Sequence, residues 1–331
     1  MSQSGEGEYV LGVLPVVDLE SHDAAEQLAA GLAALGFVQL VNHGADRRAA
    51  EALRAACDRF FGLPNETKRA FSHPAPEANR GFRAKGSEAL SYSLGEASPP
   101  DLFESFNCAH DDRASDHPLL AQTPWPDEVA AGFSAAAHGW LTEMQRLSER
   151  LDHLIDETLG TELASRSTAG PDTMACIDYR PGPDGHEPAL PDQQRMGAHS
   201  DYTTFTILHA DPVPGLQIVS DDGWVDVIPD PGALLLNVGD LLAMLTNDTW
   251  PSTLHRVVPM DAGAAPVRRS VAYFHYPNLD VEIAPLPELV EAGSDPRYRA
   301  TSVADHLLGK LTAPKTHEPA TGASTVAGRQ T

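Results

Sequence analysis

The sequence predicts an α+β fold in which flanking helices cover a core of antiparallel strands, arranged as a barrel or a jelly roll. The second half of the chain contains a series of short apolar runs separated by turn residues, which is the pattern of consecutive antiparallel strands. Helical patterns do not alternate with these runs, and this disfavours a parallel sheet built from βαβ units. Apolar residues at helical spacing occur mainly in the first half.

The composition limits the class of protein. The chain has 331 residues, of which 42% are hydrophobic, and this is enough for a sizeable core. Its formal net charge of −24 argues against nucleic acids and anionic membranes as partners, because binding phosphates requires clustered Lys and Arg. We therefore expect no nucleic-acid partner and no membrane partner.

Cysteine usage and the N-terminus bear on the compartment. The three cysteines show no C-x-x-C spacing, which predicts reduced thiols rather than a zinc knuckle or a disulfide framework. The N-terminus has no basic segment followed by an apolar run, and no stretch approaches about 18 consecutive apolar residues. These features predict a cytoplasmic protein.

The first part of the chain predicts strands and helices in alternation after a polar, disordered lead of residues 1–9. Gly36 is a suitable C-cap for the first helix, and Gly62 and Pro64 close the second. The predicted elements are a strand within 13–19, a helix over 24–35, a strand over 37–41 and a helix over 47–61.

Residues 74–125 form an irregular stretch, and long loops of this kind usually carry function. A long helix is predicted over 127–159, because apolar residues recur there every three or four positions. A helix near 303–311 is the last predicted element, and we expect a disordered tail over 313–331. The predicted strands between these helices are 174–179, 203–208, 216–219, 224–228, 233–238, 254–258 and 270–276.

His199 and Asp201 are the first candidate site residues. They are two positions apart, so on an extended backbone both side chains leave the same face of the strand and can share one ion. His255, in another predicted strand, can supply a third ligand. Two imidazoles and one carboxylate leave about three positions of the ion open, which is the arrangement of non-haem Fe(II) oxygenases.

Arg268 and Ser270 form a second candidate group. They too are two apart on a predicted strand, and a guanidinium fork beside a hydroxyl is suited to binding a carboxylate. Arg269 alternates to the opposite face. A metal triad followed by an anion clamp predicts a site for a chelating organic acid.

Several separated segments of the first third carry a further signal. These segments are Leu14-Pro-Val-Val-Asp-Leu19, Gly36-Phe-Val-Gln-Leu-Val-Asn-His-Gly44, Phe60-Phe-Gly-Leu-Pro64 with Lys68, Arg80-Gly-Phe82 and Glu104-Ser-Phe-Asn107. In this order they resemble the isopenicillin N synthase-like family of iron- and 2-oxoglutarate-dependent dioxygenases. The resemblance implies a double-stranded β-helix (jelly roll) core with flanking helices. It also implies an N-terminal α/β region over 1–120, and a helix plus the jelly-roll catalytic core over 121–312.

The resemblance also implies roles for particular residues. Those implied to bind Fe(II) and to form the catalytic centre are His199, Asp201 and His255. Arg268 and Ser270 are implied to bind the distal carboxylate of 2-oxoglutarate, with assistance from Tyr179. A related halogenating subset has a small residue where this chain has Asp201, so the carboxylate favours oxygen transfer over halogenation.

The implied reaction uses Fe(II), 2-oxoglutarate and O2 to hydroxylate a small-molecule substrate, with release of succinate and CO2. Two alternatives remain open. One is an oxidase of the same family that does not use 2-oxoglutarate, since such oxidases also keep the Arg-x-Ser motif. The other is a non-catalytic protein that binds metal or 2-oxoglutarate.

The substrate is the least determined part of the prediction. Residues expected beside it lie in the long loop and its following strand, next to the triad, and on the last strand: Arg83, Phe106, Tyr202, Phe274 and His275. Asn107 is a further candidate. This mixture suggests a small molecule of specialised metabolism with an apolar body and an acidic or polar handle, bound by a monomer or weak homodimer.

Overall fold

The computed structural model describes residues 14–75, 78–180, 190, 192–259 and 267–316. The predicted lead of residues 1–9 and most of the predicted tail, residues 317–331, lie outside this part of the chain. No helix within the described ranges is both long and apolar enough to span a membrane.

The described residues contain helices and strands in an α+β arrangement, as predicted. The helices are α1 (Ala24–Leu35), α2 (Arg47–Phe61), α3 (Asn65–Arg69), α4 (Phe133–Leu159), α5 (Leu163–Arg166), α6 (Asp240–Leu245) and α7 (Val303–Thr316). The strands are β1 (Val16–Asp18), β2 (Phe37–Val41), β3 (Gly81–Arg83), β4 (Glu104–Cys108), β5 (Thr173–Asp178), β6 (Met196–His199), β7 (Phe205–Ala210), β8 (Leu216–Ser220), β9 (Gly223–Asp226), β10 (Leu234–Val238), β11 (His255–Val257), β12 (Arg269–His275), β13 (Glu282–Ile283) and β14 (Thr301–Ser302).

The strands form two main sheets. The larger has eight strands in the order β1-β2-β10-β7-β12-β5-β4-β3, and the smaller has four in the order β6-β11-β8-β9. Strands β1 and β2 pair in parallel, whereas the remaining pairs of both sheets are antiparallel. Strands from the N-terminal region, β1 to β4, are thus part of the same sheet as β5, β7, β10 and β12.

Side-chain alternation along the larger sheet divides the core into two layers. On β5, Ala175 and Ile177 belong to an apolar cluster that also contains Leu216 and Ile218 of the smaller sheet. Met174 and Cys176 belong to a second cluster, which includes apolar residues of α1, α2 and α4. The helices therefore cover one face of the larger sheet, and the smaller sheet lies against the other face.

Gly36 sets the tight connection between α1 and β2. Its φ of 68° is a left-handed conformation that suits glycine, and its backbone N–H donates to the carbonyl of Leu32 to close the helix. A Cβ at this position would lie 2.2 Å from the carbonyl oxygen of Pro251. The turn thus requires glycine for its conformation and for its close approach to the segment that precedes β11.

The long elements match the predicted ones closely, while several short ones were missed. Helices α1 and α2 and strand β2 have the predicted bounds. Helix α4 begins at Phe133 rather than 127, because Gly132 takes a left-handed conformation with φ of 78° just before it. Helix α7 continues to Thr316, past its predicted end at 311. The sequence did not predict α3, α6 or β6, since four to six residues carry too little periodicity.

Candidate active site

The three predicted metal ligands converge at one edge of the smaller sheet. His199 ends β6 and His255 begins β11, and the two residues are paired across the antiparallel ladder. Asp201 follows β6 by two residues. The metal-ligating atoms of the three side chains all lie within 4.8 Å of one another. Cross-strand pairing therefore brings together residues that are far apart in the sequence.

The geometry leaves a gap between the three side chains that one cation can fill. Nε2 of His199 lies 3.8 Å from Oδ1 of Asp201, and Nε2 of His255 lies 3.7 Å from the same oxygen. The imidazole centroids are 4.3 Å apart. These distances are too long for hydrogen bonds, and they suit three donors arranged around a common ion.

Backbone carbonyls orient both imidazoles. Nδ1 of His199 lies 2.8 Å from the carbonyl oxygen of Gly197, and Nδ1 of His255 lies 3.1 Å from that of Thr253. A carbonyl only accepts, so Nδ1 of each ring must carry the hydrogen. The lone pair is then on Nε2, which is the nitrogen that faces Asp201.

Asp201 is held from two directions. Nδ2 of Asn237, on β10, donates to Oδ2 at 2.7 Å, which leaves Oδ1 directed towards the histidines. The backbone carbonyl of Asp201 accepts from the N–H of Asp240 at 2.7 Å. Sequence reasoning missed Asn237, because nothing local to β10 marks it as a partner of a residue 36 positions away.

The protonation states of the triad favour cation binding. Burial, followed by the charge of His255, lowers the pKa of His199 to about 4. Burial alone would raise the pKa of Asp201, but His255, His199 and the hydrogen bond from Asn237 outweigh it and lower the pKa. Near neutral pH the cluster therefore presents a neutral His199 beside a carboxylate, which are the ligand forms that a metal requires.

Arg268 lies in the same cavity, just before β12. It is 1% exposed, and its Nε and Nη1 atoms are buried without a hydrogen-bond partner among the described residues. Its guanidinium carbon lies 4.9 Å from the centroid of the Tyr179 ring. Ser270 is buried beside it and lines the cavity. A buried guanidinium with unpaired donors fits the carboxylate of a ligand.

A second arginine near this position was not predicted. Nη1 of Arg195 is buried with no partner in the described part of the chain. Burial and then the charge of Arg268 lower the pKa of Arg195. Two cations thus lie close together with unpaired donors. The sequence does not mark Arg195, because it belongs to no spaced pair.

Arg269 points away from this cavity, as the alternation along β12 predicts. It pairs with Asp58 of α2 and, with Nε at 3.3 Å, with Asp211. It is therefore a matched counterpart of Arg268, with the same residue type on the opposite face of the strand.

The cavity extends from the triad and Arg268 across the inner face of the larger sheet. Apolar side chains form most of its wall: Phe37, Leu90, Phe103, Ile177, Leu208, Phe274 and Leu311. The polar residues away from the triad and Arg268 include Asn79, Glu88, Ser105, Asn107, Tyr202 and Tyr276.

Two of the five predicted substrate residues, Tyr202 and Phe274, line this cavity. The other three do not. Phe106 is fully buried in the helix-side core, where its ring contacts Phe60 and Phe133. Strand alternation explains its placement, because its neighbour Asn107 faces the cavity.

His275 and Arg83 also lie outside the cavity wall. His275 follows Phe274 on β12 and therefore points to the helix side, where Nε2 lies 2.9 Å from Asp152. Adjacent strand residues cannot both face one cavity, so predicting both Phe274 and His275 was wrong in register. Arg83 is engaged by Glu88 and by the carbonyl of Ala78.

Comparison with known proteins places this geometry in a family. Residues 171–277 match the model of the 2OG-Fe(II) oxygenase superfamily, and residues 14–128 match that of the non-haem dioxygenase in morphine synthesis N-terminal region. The chain belongs to the 2OG-Fe(II) oxygenase superfamily. It is an Fe(II)- and 2-oxoglutarate-dependent dioxygenase with O2 as cosubstrate, and its core is the predicted jelly roll.

Among similar proteins, gibberellin 3-beta-dioxygenase 2 of Arabidopsis thaliana is 30% identical over 309 residues, covering 90% of this chain and 83% of the relative. Flavanone 3-dioxygenase 2 of Oryza sativa subsp. japonica is 33% identical over 301 residues, covering 86% and 80%. The structure of a full-length Neurospora crassa protein in complex with alpha-KG and thymine has a TM-score of 0.76 at 29% identity, covering 94% of this chain and 98% of that one.

Proposed function

We propose that this dioxygenase hydroxylates a small organic molecule held in the cavity, with Fe(II) bound by His199, Asp201 and His255. The convergence of their ligating atoms within 4.8 Å carries this proposal. The fixed tautomers of the two imidazoles support it, since each ring offers the Nε2 lone pair to the same point.

We further propose that Arg268 and Ser270 bind the distal carboxylate of 2-oxoglutarate, with Tyr179 packed against the guanidinium. Arg268 is 1% exposed, and two of its guanidinium nitrogens have no hydrogen-bond partner among the described residues. Leaving them unpaired destabilises the fold unless an anion accepts their hydrogen bonds. This observation supports a bound carboxylate at Arg268. Arg195 adds positive charge near Arg268.

When bound, Fe(II) with 2-oxoglutarate and O2 supplies the oxidant that removes hydrogen from a substrate C–H bond. The residues of this chain provide positioning. Asn237 and the carbonyls of Gly197 and Thr253 orient the three ligands, and Arg268 fixes the far end of the cosubstrate. The apolar wall, closed on one side by Leu311 of α7, excludes water from the reacting groups.

Similar proteins indicate the size of the substrate. The Neurospora crassa structures hold thymine or 5-formyluracil, and other relatives are named for gibberellins and flavanones. All are small organic molecules with a ring-containing body. We propose a substrate of this size, bound by a monomer or weak homodimer that needs no nucleic-acid partner.

Succinate release from 2-oxoglutarate tests this function with a built-in control. Arg268→Lys cannot keep the two parallel hydrogen bonds of the guanidinium fork, so 2-oxoglutarate should lose about 1.5–3 kcal/mol of binding free energy. This loss should raise the half-saturating 2-oxoglutarate concentration roughly ten- to over a hundred-fold. Arg269→Lys, on the opposite face, should leave that concentration unchanged. Succinate formation that depends on iron but not on Arg268, or that is lost only in Arg269→Lys, would contradict the assignment.

A further inference from the structure

We propose that Asn107, Asn79 and the Arg83–Glu88 pair form a substrate subsite that takes an uncharged N–H or O–H donor, such as a carboxamide or lactam, and rejects a carboxylate. We call these four residues the amide subsite. The inference rests on the proposed function, because it concerns the substrate of the same cavity. It narrows the acidic or polar handle expected from the sequence to a neutral, polar one.

Strand register places the subsite relative to the cosubstrate end. Asn107 on β4 pairs with Ala175 on β5, which pairs with Ala272 on β12. Ser270 lies two residues before Ala272, about 7 Å along the strand. Asn107 therefore lies about 7 Å farther along the strand direction than Ser270. It is also displaced sideways from β12 by two strands, or about 10 Å. Small alanine side chains form the floor between them.

Hydrogen bonds fix the orientation of both amides. Oδ1 of Asn79 accepts from Nη2 of Arg83 at 3.0 Å and from Nδ2 of Asn107 at 2.8 Å. One hydrogen of Asn107 Nδ2 is donated to Asn79, and Oδ1 of Asn107 has no partner among the described residues. Swapping oxygen and nitrogen in either amide would bring like groups together, so the two assignments support each other.

The free oxygen of Asn107 is the observation that calls for a ligand. Asn107 is 6% exposed and lines the cavity, and its Oδ1 is buried with no hydrogen-bond partner among the described residues. A buried acceptor without a partner is costly, and a substrate N–H or O–H would satisfy it. A carboxylate oxygen placed there would meet another acceptor.

Charge at this end is already balanced. The guanidinium of Arg83 pairs with the carboxylate of Glu88, and both side chains are nearly buried at 11% and 13% exposure. Of the two, Glu88 lines the cavity and Arg83 does not. A substrate therefore meets the carboxylate of Glu88 and the unpaired Oδ1 of Asn107 at the subsite rather than an unpaired cation.

The two buried arginines of the region differ in this respect. Arg268 has donor atoms without partners among the described residues, as expected of a site that receives an anion. Arg83 also has a buried Nε without a partner among the described residues, but it gives both terminal nitrogens to Glu88, Ala78 and Asn79, whereas Nη1 of Arg268 has no partner. The end of the cavity at Arg268 thus suits the carboxylate of the cosubstrate, and the end at Asn107 suits an uncharged hydrogen-bond donor.

Matched pairs of probes test the proposal: phenylacetamide with phenylacetate, and indole-3-acetamide with indole-3-acetate. Each is titrated anaerobically into the protein loaded with Fe(II) and 2-oxoglutarate, and binding is followed by the change in the metal-to-ligand absorption band. We expect each amide to bind at least roughly tenfold more tightly than its acid, because only the amide donates to Asn107.

Two variants and a control make the test specific to the subsite. Asn107→Leu should weaken amide binding by roughly five- to tenfold and erase the preference. Glu88→Gln leaves Arg83 without its counter-ion, so acids should gain roughly tenfold. Glu96→Gln, an exposed carboxylate outside the cavity wall, should change neither affinity.

The outcomes separate this inference from the proposed function. Acids that bind as tightly as amides, amides that do not bind at all, or a Glu88→Gln variant with an unaltered preference would overturn the amide subsite. Each of these results counts only for protein that shows the metal-to-ligand absorption band with Fe(II) and 2-oxoglutarate. Absence of that band in the wild-type protein would instead contradict the iron and cosubstrate assignments.

Discussion

Two clusters of histidine and aspartate lie on opposite sides of the larger sheet, and they behave in opposite ways. The cavity cluster has two imidazoles and one carboxylate, with no hydrogen bond between them. The helix-side cluster has one imidazole and two carboxylates: His275 lies 2.9 Å from Asp152 and 3.2 Å from Asp172. Asp172 also accepts from the hydroxyl of Tyr273 at 2.8 Å.

The pKa values of the histidines His199 and His275 follow the ratio of imidazoles to carboxylates in their clusters. Burial lowers the pKa of His199 to about 4, and the charge of His255 adds to this effect. Burial alone would lower the pKa of His275, but Asp172 and Asp152 outweigh it and raise the pKa to about 10. Near neutral pH, His199 is neutral and His275 is charged.

This difference separates a binding site from a structural ion pair. The helix-side cluster balances the charge of His275 with two carboxylates, so it offers no lone pair of the imidazole to a cation, although Oδ1 of Asp152 and Nδ1 of His275 lack hydrogen-bond partners among the described residues. The cavity cluster keeps its Nε2 lone pairs and one carboxylate oxygen free, and it gains most when a cation is added. Residue type alone does not distinguish the two clusters, whereas the ratio of imidazoles to carboxylates does.

Replacing Asp201 with Ala should have the largest effect. Two imidazoles then remain without the carboxylate that balances the charge of the metal, so succinate formation should fall to background. Removing iron from the wild-type protein with a chelator should give the same result, and adding Fe(II) back should restore activity. Iron-dependent turnover that persists in Asp201→Ala would mean that the metal binds elsewhere.

Replacing Asp152 with Ala should damage stability and spare the metal site. A buried pair broken on one side costs about 3 kcal/mol or more, here at the lower end because Asp172 remains beside His275. Urea unfolding measures this loss, and the 2-oxoglutarate band measured at low urea should keep its intensity. The control is Glu157→Ala, an exposed residue of the same helix, which should change stability by less than about 0.5 kcal/mol.

A smaller effect is expected from pH. The pKa of His275 is raised from 6.5 to about 10 on folding, so its contribution to stability is complete below about 6.5 and is lost as pH rises towards 10. The free energy of unfolding should therefore decline over this window, and the decline should be weaker in His275→Gln. Parallel pH profiles of the two proteins would contradict the charged state of His275.

Local spacing in the sequence accounts for much of the candidate site. His199 with Asp201, and Arg268 with Ser270, are two apart on extended backbone, so each pair reaches the same cavity. The register that pairs His255 with His199 depends on distant segments. The sequence indicated only that His255, on another strand, could supply a third ligand, and the family resemblance implied the same role.

The substrate end was harder to predict, for two physical reasons. Phe274 and His275 are consecutive on β12, so strand alternation turns only Phe274 to the cavity and His275 to the helix side. The role of Arg83 depends on its pairing with Glu88, a contact made by the irregular segment after β3. Spacing rules carry no information about such pairings.

An anaerobic titration with Fe(II) and 2-oxoglutarate tests the central claim most directly. The claim is that the cavity cluster, and not the helix-side cluster, holds the iron. We expect the wild-type protein and His275→Gln to bind a single Fe(II) per chain and to develop the metal-to-ligand band when 2-oxoglutarate is added, while His255→Ala develops none. A band of full intensity in folded His255→Ala, or its loss in folded His275→Gln, would contradict the account.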